Sequence, residues 1–368
     1  MGGVEHRVLE TARLLTARGH RVVVHTAAAL PDRRPLPEGD EPFGGFEIVR
    51  YRPEVFRGTF RLFYRPRPRF REVLETQGYP SPVSDWLARR HRSTHALTTG
   101  LMGSTLYPGR LTHYLARIAY DHLRGLPTLR RMDAIQVMTA DETRWARSHG
   151  VRVPIEEIPS PADDSAFEEY DAASAMQKHG LARYVLFLGR LFEEKNPRHL
   201  VQAFERVAAR FPEVKLVFVG PDQGEREPVL ALAKALGLAD RVVTTGAVSR
   251  EEKFALLRGC EFLALPTDYE AQGVVFLEAW AQGRPVVATR VGGVPYVVDE
   301  GVNGLLHERG DIGGITRAME TLLADPALCR RMGEAGRKKA QSQYRWSVTI
   351  PRLEALYERI LAARPDAR

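Results

Sequence analysis

The sequence predicts an α/β protein whose second half is built on a doubly wound parallel sheet. From Tyr184 onward, short apolar, β-branched runs alternate with stretches of helical periodicity, which is the pattern of βαβ units. At 368 residues the chain is too long for one ordinary domain, so two are expected. The predicted strands are also closed by chain-turning residues, namely Gly189, Gly220, Gly246 and Pro266.

The first half has a less regular pattern. Apolar spacing over residues 4–18 predicts a helix that ends at Gly19, and the β-branched run 21–26 predicts a strand. A Gly-Gly loop opens this helix, but the strand that should precede such a loop is absent, so the expected fold lacks its first N-terminal strand. Residues 80–150 predict helices with few clean strands, and 134–137 is the clearest short strand.

The remaining elements are predicted in chain order. A helix from Asp141 to Gly150 is followed by a linker strand at 154–161. The final stretch, 317–361, is predicted to be helical, with breaks near 325–326 and 344–347. Strands of the second half are predicted at 184–188, 215–219, 242–244, 262–265 and 285–288.

Composition excludes several classes of protein. The net charge is +7, but no nucleic-acid-binding motif occurs, so nucleic acid is not an expected partner. No run approaches the ~20 apolar residues of a membrane span, and Met1 is not followed by a signal peptide. The two cysteines, Cys260 and Cys329, are too few for a disulfide framework or a cysteine-based zinc site. We therefore expect a cytoplasmic protein.

Residues 51–75 interleave aromatic side chains with seven arginines. The favoured interpretation is an arginine-rich surface around an irregular loop, because Pro53, Pro66 and Pro68 argue against a long amphipathic helix. The alternative is an interfacial patch, which would bind an acidic ligand or give peripheral contact with the inner face of a membrane.

Two glutamates eight positions apart are the most informative residues. Glu270 lies in the loop after an apolar strand, and the loop ends at Gly273, where a helix begins at Val274. Ligands of open α/β sheets bind outside the carboxyl ends of strands, which places Glu270 in the crevice and Glu278 about one turn into the helix. Free N–H groups at a helix start suit a phosphate, and a carboxylate can accept hydrogen bonds from a sugar diol. Taken alone, the pair would be ordinary surface glutamates.

A second cluster follows the first strand of this half. Gly189 allows a tight turn near a ligand. Arg190 and Lys195 can converge on one anion, arginine through a bidentate fork and lysine as a point charge. Combined with the two glutamates, at matching strand ends of one sheet, this cluster predicts a site for a phosphorylated sugar.

Other glycines could bring backbone close to the same ligand. The turn from Gly246 to Val248 could offer backbone groups to a nucleotide base. Gly2 and Gly3, at the start of the first helix, could face the crevice from the other domain. Neither a Ser-His-Asp arrangement, nor HExxH, nor a Walker P-loop is found in the sequence.

Together these residues resemble the retaining glycosyltransferases of the GT-B architecture, in the large family 4 group that carries the "glycosyl transferases group 1" domain. The resemblance is close over 184–310, looser over 2–30 and 133–167, and poor over 40–130. It rests on the opening Gly3-Val4-Glu5, Gly189-Arg190 with Lys195, Glu270 to Glu278, Gly283-x-Pro285-Val-Val-Ala, and Gly292-Gly293.

The resemblance implies two Rossmann-like domains facing a cleft. Residues 1–168 would form the acceptor-side domain and 169–345 the domain that binds a nucleotide-diphosphate sugar of the UDP or GDP type. Residues 346–368 would form a C-terminal helix returning to the N-terminal domain. No metal or other cofactor is normally required, and the acceptor would be a sugar, a lipid-linked molecule or a small molecule.

The resemblance also implies roles for individual residues. Arg190 and Lys195 would neutralise the diphosphate leaving group, while backbone N–H groups around Gly273 and Val274 would cap the phosphates. Glu278 would hold the ribose, and Glu270 would lie near the donor sugar. The acceptor hydroxyl would attack from the leaving-group face, with retention of anomeric configuration.

Four departures from the family pattern stand out. The stretch 97–103 lacks the histidine that many relatives carry in a Thr-x-His-Gly context, so no catalytic histidine is assigned. Pro159-Ser160-Pro161 replaces the usual Pro-Asn-Gly turn, Gln272 replaces a common Phe, and Tyr296 stands where Glu is frequent. A sugar transferase remains the leading hypothesis. The alternatives are a nucleotide-sugar epimerase on the same fold and a catalytically inactive binding subunit.

Overall fold

A computed structural model describes residues 3–29, 36–54, 64–67, 73–79, 81–90, 95–101, 115 and 118–363. The chain divides into two compact units. Unit 1 comprises Met1–Pro159 with Ile350–Arg368, and unit 2 comprises Ser160–Thr349. These limits differ from the expected ones at 168 and 345. The segment just after Pro159 packs on unit 2, where Ala162 and Ala166 are fully buried in its core.

Unit 2 is an α/β unit with one six-stranded parallel sheet. Its strands are β8 (Arg183–Leu188), β9 (Val214–Val219), β10 (Val242–Gly246), β11 (Leu263–Leu265), β12 (Val286–Thr289) and β13 (Gly304–His307). Five of them confirm the predicted strands, whereas β13 was not predicted. Most of β8, β9, β11 and β12 is inaccessible to solvent, as expected for parallel strands covered on both faces.

The strand order of this sheet is β10-β9-β8-β11-β12-β13, with all neighbours parallel. The order therefore runs outward in opposite directions from β8 and β11. Such a reversal is the topological switch point at which open α/β sheets bind ligands, at the carboxyl ends of the strands.

Helices cover both faces of the sheet in unit 2. The breaks predicted near 325–326 and 344–347 are confirmed, because Asp325 accepts from the Leu328 amide at 2.9 Å at the start of one helix and Tyr344 ends it. The helices are Ala172–Lys178, Pro197–Arg210, Arg226–Ala235, Arg250–Gly259, Val274–Ala281, Val294–Val297, Ile312–Ala324 and Pro326–Gln343, with short 3-10 turns at Asp164–Phe167 and Glu193–Lys195.

Unit 1 contains two sheets among its described residues. Their strands are β1 (Val23–Ala27), β2 (Gly39–Phe43), β3 (Phe46–Tyr51), β4 (Val73–Tyr79), β5 (His95–Leu101), β6 (Ala134–Val137) and β7 (Ile155–Glu157). The three-stranded sheet has the order β1-β3-β2, and the four-stranded parallel sheet has the order β4-β5-β6-β7.

The sequence prediction for unit 1 was partly wrong. Strands β2, β3 and β4 were not predicted, and β5 lies in a stretch that was predicted to be mainly helical. The histidine-poor stretch 97–103 falls on β5 as far as Leu101, and its last two residues lie outside the described ones. The helices of this unit are Gly3–Ala17, Pro82–Arg90, Leu126–Leu129 after a π-helical turn at Asp121–Gly125, Ala140–Ser148 and, from Ile350 onward, the helix Trp346–Ala363.

The aromatic and arginine-rich segment 51–75 is only partly described. Tyr51 and Tyr64 stack at a ring-centroid distance of 5.7 Å, and the Tyr64 hydroxyl donates to the His25 carbonyl at 2.8 Å. These two aromatic side chains therefore pack against β1. The phenylalanines of the segment lie outside the described residues. Over the described part of the chain, the helices are too short or too polar to span a membrane.

The C-terminal helix Trp346–Ala363 makes polar contacts within unit 1. Glu354 accepts from Arg18 at 2.8 Å, and the Tyr357 hydroxyl donates to the Glu75 carboxylate. Removal from water raises the pKa of Glu75, an effect that the Tyr357 hydrogen bond and the positive charge of Arg7 partly offset. The final helix is thereby fixed to strand β4.

Candidate functional site

Lys195 lies in a tightly constrained loop that follows strand β8. The backbone of Gly189 and Gly220 approaches so closely that a Cβ on Gly220 would lie 1.9 Å from the Gly189 carbonyl oxygen. The loop then forms the short turn Glu193–Lys195, and Asn196 follows in the left-handed conformation at φ 49°. Asn196 is the only non-glycine residue with positive φ among the described residues.

Asn196 connects this loop to the loop after β11. Its side-chain amide donates to the Pro266 carbonyl and to an Asp268 carboxylate oxygen, both at 2.9 Å. The Asp268 amide in turn donates to the Glu194 carbonyl at 2.9 Å. Arg309 also binds the Asp268 carboxylate at 2.9 Å and holds its pKa below the usual range. The two loops at the switch point are therefore fixed to each other.

Lys195 and Glu270 meet at this point. Lys195 Nζ lies 2.6 Å from Glu270 Oε2, and the two side chains are only 18% and 20% exposed. The Glu270 carbonyl accepts from the Gly293 amide at 3.0 Å. A Cβ on Gly292 would lie 2.4 Å from that carbonyl, so the turn can approach only because Gly292 lacks a side chain.

The helix Val274–Ala281, called the site helix below, begins directly after this loop. Gly273 precedes it at φ 83°, and a Cβ there would lie 2.3 Å from the Phe276 ring. Glu278 lies one turn into the helix. Its Oε1 accepts from Lys253 Nζ at 2.7 Å, and that ammonium also lies 4.1 Å from the centroid of the Phe254 ring.

The other predicted site residues have mixed outcomes. Arg190 is exposed, its guanidinium lies 4.9 Å from the centroid of the Phe192 ring, and it donates to Gln223 at 3.3 Å. Its side chain makes neither a hydrogen bond nor an ion pair with Lys195 or Glu270. Val248 is partly buried against the core of unit 2. Gly3 opens the first helix of unit 1, and Gly2 lies outside the described residues.

Three residues of this site were given no role by sequence reasoning. Asn196 orders the two loops, Lys253 pairs with Glu278, and Gln272 binds the backbone of Ser160. Asn196 had a usable signal, because asparagine is enriched in the left-handed region and stands just before Pro197 at a helix start. Lys253 carried none, and Gln272 was noted only as a departure from the family pattern, since the partners of both are distant in sequence.

No group of three or more His, Cys, Asp or Glu side chains within the described ranges is arranged to hold a metal ion. The charged groups at the switch point include the Lys195–Glu270 pair, with Arg190 on the same loop as Lys195. The Lys253–Glu278 pair lies one turn into the site helix. Two ammonium groups beside two carboxylates, next to a helix start, can bind a phosphate and a polyol on one molecule.

This combination of a parallel switch-point sheet with paired carboxylates and cations suits a ligand that carries both phosphates and a polyol, and comparison with known proteins identifies the family. Residues 173–339 match the family model "Glycosyl transferases group 1", and residues 2–161 match "Glycosyl transferase 4-like domain". The chain belongs to the glycosyl transferases group 1 family.

Two relatives with glycosyltransferase names support this assignment, and a solved structure shares the fold. The chain is 33% identical to a D-inositol 3-phosphate glycosyltransferase of Segniliparus rotundus, over 98% of this chain and 85% of that protein. It is 34% identical to a GDP-mannose-dependent alpha-(1-6)-phosphatidylinositol monomannoside mannosyltransferase of Mycolicibacterium smegmatis, over 61% of each chain. The fold is similar to Anabaena HepE in complex with UDP, with a TM-score of 0.67, 19% identity and coverage of 97% and 96%.

Proposed function

We propose that this protein transfers a sugar from a nucleotide-diphosphate sugar to an acceptor hydroxyl, with retention of anomeric configuration. The observation that carries the proposal is the 2.6 Å pair of Lys195 and Glu270 at the switch point, directly before the site helix. Ligands of open α/β sheets bind at this place, and the pair supplies one cationic and one anionic group there.

The cationic groups suit the leaving diphosphate. Negative charge grows on the diphosphate as the glycosidic bond breaks, and preorganised charges and dipoles stabilise it best where water is excluded. Lys195 is only 18% exposed and is held by fixed loops, so its ammonium is preorganised. The N–H groups at Val274 add the helix start, and we assign Arg190, on the same loop as Lys195, to the same diphosphate.

The Lys253–Glu278 pair suits the ribose. Lys253 binds Oε1 of the Glu278 carboxylate at 2.7 Å. We assign the second carboxylate oxygen to the hydroxyls of the ribose, which donate to it. A carboxylate held on one oxygen keeps its other oxygen in a defined direction, where it can accept hydrogen bonds from the ribose hydroxyls.

Glu270 is the residue we place beside the donor sugar. Positive charge develops on the anomeric carbon while the diphosphate departs, and a carboxylate at that end of the site stabilises it. When the diphosphate binds Lys195, the ammonium is shared between phosphate and Glu270. The acceptor hydroxyl attacks from the face that the diphosphate leaves and gives its proton to the departing diphosphate oxygen. The new glycosidic bond forms where the bond to the diphosphate breaks, so configuration is retained. Retention is supported by the resemblance to the retaining family.

The proposal includes both UDP-sugars and GDP-sugars as donors. One relative is named for GDP-mannose, and HepE was solved with UDP. Both relatives described above are named for inositol-containing acceptors, so inositol phosphates belong among the first acceptors to test. We also propose that transfer requires no metal, because ammonium groups and a helix start supply the positive charge at the diphosphate.

The test begins with nucleotide binding in the absence of metal. Thermal shifts with UDP, GDP and ADP should single out one base, because a ligand at ~100 times its Kd adds roughly 2.7 kcal/mol of stability. Donor turnover with a panel of acceptors, followed by NMR of the product anomer, then tests transfer and retention. An inverted product would exclude retention. Binding without turnover would favour an inactive subunit, and an isomerised nucleotide sugar would favour an epimerase.

A further inference from the structure

Gln272 is buried beside the proposed donor site, and its side-chain contacts play no part in the roles assigned above. The whole residue is only 1% exposed. The amide oxygen accepts from the Ser160 N–H at 2.7 Å, and the amide nitrogen donates to the Ser160 carbonyl at 2.8 Å. Both ends of the amide are therefore bound to one residue, 112 positions earlier in the chain.

The partner segment explains why a glutamine is needed. Ser160 stands between Pro159 and Pro161, and proline carries no N–H, so the Ser160 amide is the single backbone donor of this tripeptide. Ser160 is 6% exposed, and a buried backbone N–H without a partner is costly. A glutamine side chain offers one acceptor and one donor, which matches the N–H and the carbonyl of one residue.

The segment around Ser160 is itself fixed to the body of unit 2. The Ala162 amide donates to the Tyr344 carbonyl at 2.8 Å, and Ala162 is fully buried. The bond between Gln272 and Ser160 therefore attaches the loop to an anchored segment. Gln272 stands two residues after Glu270 and immediately before Gly273, where the site helix begins.

We propose that Gln272 is a positioning residue: by binding the backbone of Ser160, it fixes the loop that carries Glu270 and the start of the site helix. The inference rests on the proposed transferase function. It also connects two departures from the family pattern, because Gln272 and Pro159-Ser160-Pro161 are the two sides of this contact. The glutamine supplies the hydrogen bonds that an aromatic side chain could not offer.

The chain offers a matched control in Gln282. This glutamine is 5% exposed and also makes two bonds to backbone, because its amide nitrogen donates to the carbonyls of Ala166 and Glu168 at 2.6 and 3.0 Å. It follows the far end of the site helix, after Ala281. Gln282→Met thus removes a similar set of contacts without touching the loop that carries Glu270.

The first readout is hydrogen exchange, which does not depend on activity. Gln272→Met should speed exchange of the Ser160 amide and of the amides in 268–275, whereas Gln282→Met should leave both unchanged. Should Gln272→Met fail to fold, hydrogen exchange is measured on Gln272→Glu instead. This variant keeps an acceptor for the Ser160 N–H but lacks the donor to the Ser160 carbonyl. Faster exchange at Ser160 with no change in 268–275 would overturn the inference, because the loop would then be fixed without the glutamine.

The second readout is steady-state kinetics with the donor that the wild type uses. A misplacement of catalytic groups by ~1 Å costs about 100-fold, so Gln272→Met should lower kcat by about 10- to 100-fold with little change in donor KM. Gln282→Met should keep kcat near that of the wild type. Equal kcat in the two variants would overturn the inference. A wild type without turnover would instead count against the proposed function, and the exchange experiment would still test the contact.

Discussion

Lys195→Met tests the proposed diphosphate site most directly. The substitution keeps a side chain of similar length but removes the ammonium that lies 2.6 Å from the Glu270 carboxylate. A hydrogen bond to a charged group contributes about 1.5–3 kcal/mol, which corresponds to roughly 10- to 150-fold weaker binding. The lower value is a minimum for this site, because the variant also leaves the Glu270 charge facing the diphosphate.

The assay is calorimetric titration of the variant with the nucleoside diphosphate and with the nucleoside alone. We expect the diphosphate to lose affinity and the nucleoside to keep it, because Lys195 acts on the phosphates only. Lys339→Met is the matched control. Lys339 is 14% exposed in its side chain, and its Nζ lies 2.7 Å from an Asp299 carboxylate oxygen. Its loss removes an equally buried ammonium from another part of unit 2.

An unchanged diphosphate affinity in Lys195→Met would refute the reasoning, since the ammonium would then play no part in binding. Equal losses for diphosphate and nucleoside would also refute it, because they would indicate a general distortion of the unit. Equal losses in the Lys195 and Lys339 variants would lead to the same conclusion.

Three further predictions concern other residues. Glu278→Ala should abolish the preference for ribo- over 2′-deoxynucleoside diphosphates in titration, and a retained preference would remove Glu278 from the ribose. Gly220→Ala should lower the urea unfolding free energy by at least about 2 kcal/mol, because its Cβ would strike Gly189, whereas Gly224→Ala, which meets no atom within 4 Å, should cost less. Burial raises the pKa of Glu142 from 4.5 to about 7, so the folded state holds a proton that the unfolded state releases between these values. The free energy of unfolding of the wild type should therefore fall between pH 5 and pH 7 relative to that of Glu142→Gln, by up to roughly 1.4 kcal/mol per pH unit. Parallel curves of unfolding free energy against pH for the two proteins would contradict this.

The sheet of unit 2 could be predicted because its strands are covered on both faces. Strands β8 and β9 are almost fully buried, so each contains a run of at least four consecutive apolar residues in the sequence. Strand β2 is exposed along its whole length and contains Pro42, and β4 carries Glu75, Gln77 and Gly78. Neither has an apolar run or a regular alternation, so their pairing depends on tertiary context that the sequence pattern does not show.

The candidate site was predictable to the same limited extent. The rule that strand ends share one edge of a sheet placed Lys195 near Glu270, although the roles of both remain predictions. The Lys253–Glu278 pair joins two helices, and the Gln272–Ser160 contact joins residues 112 positions apart. Such contacts depend on the packing of whole elements, and no local spacing encodes them.

The two cysteines have a practical consequence. Cys260 and Cys329 are both buried, and burial raises the pKa of each thiol to about 12. Reactive thiols are exposed and ionised, and these are neither. The wild-type chain is therefore a nearly silent background for maleimide chemistry at neutral pH. A pair of fluorophores on introduced surface cysteines, one in each unit, would report by energy transfer whether their separation changes when a nucleotide sugar is added.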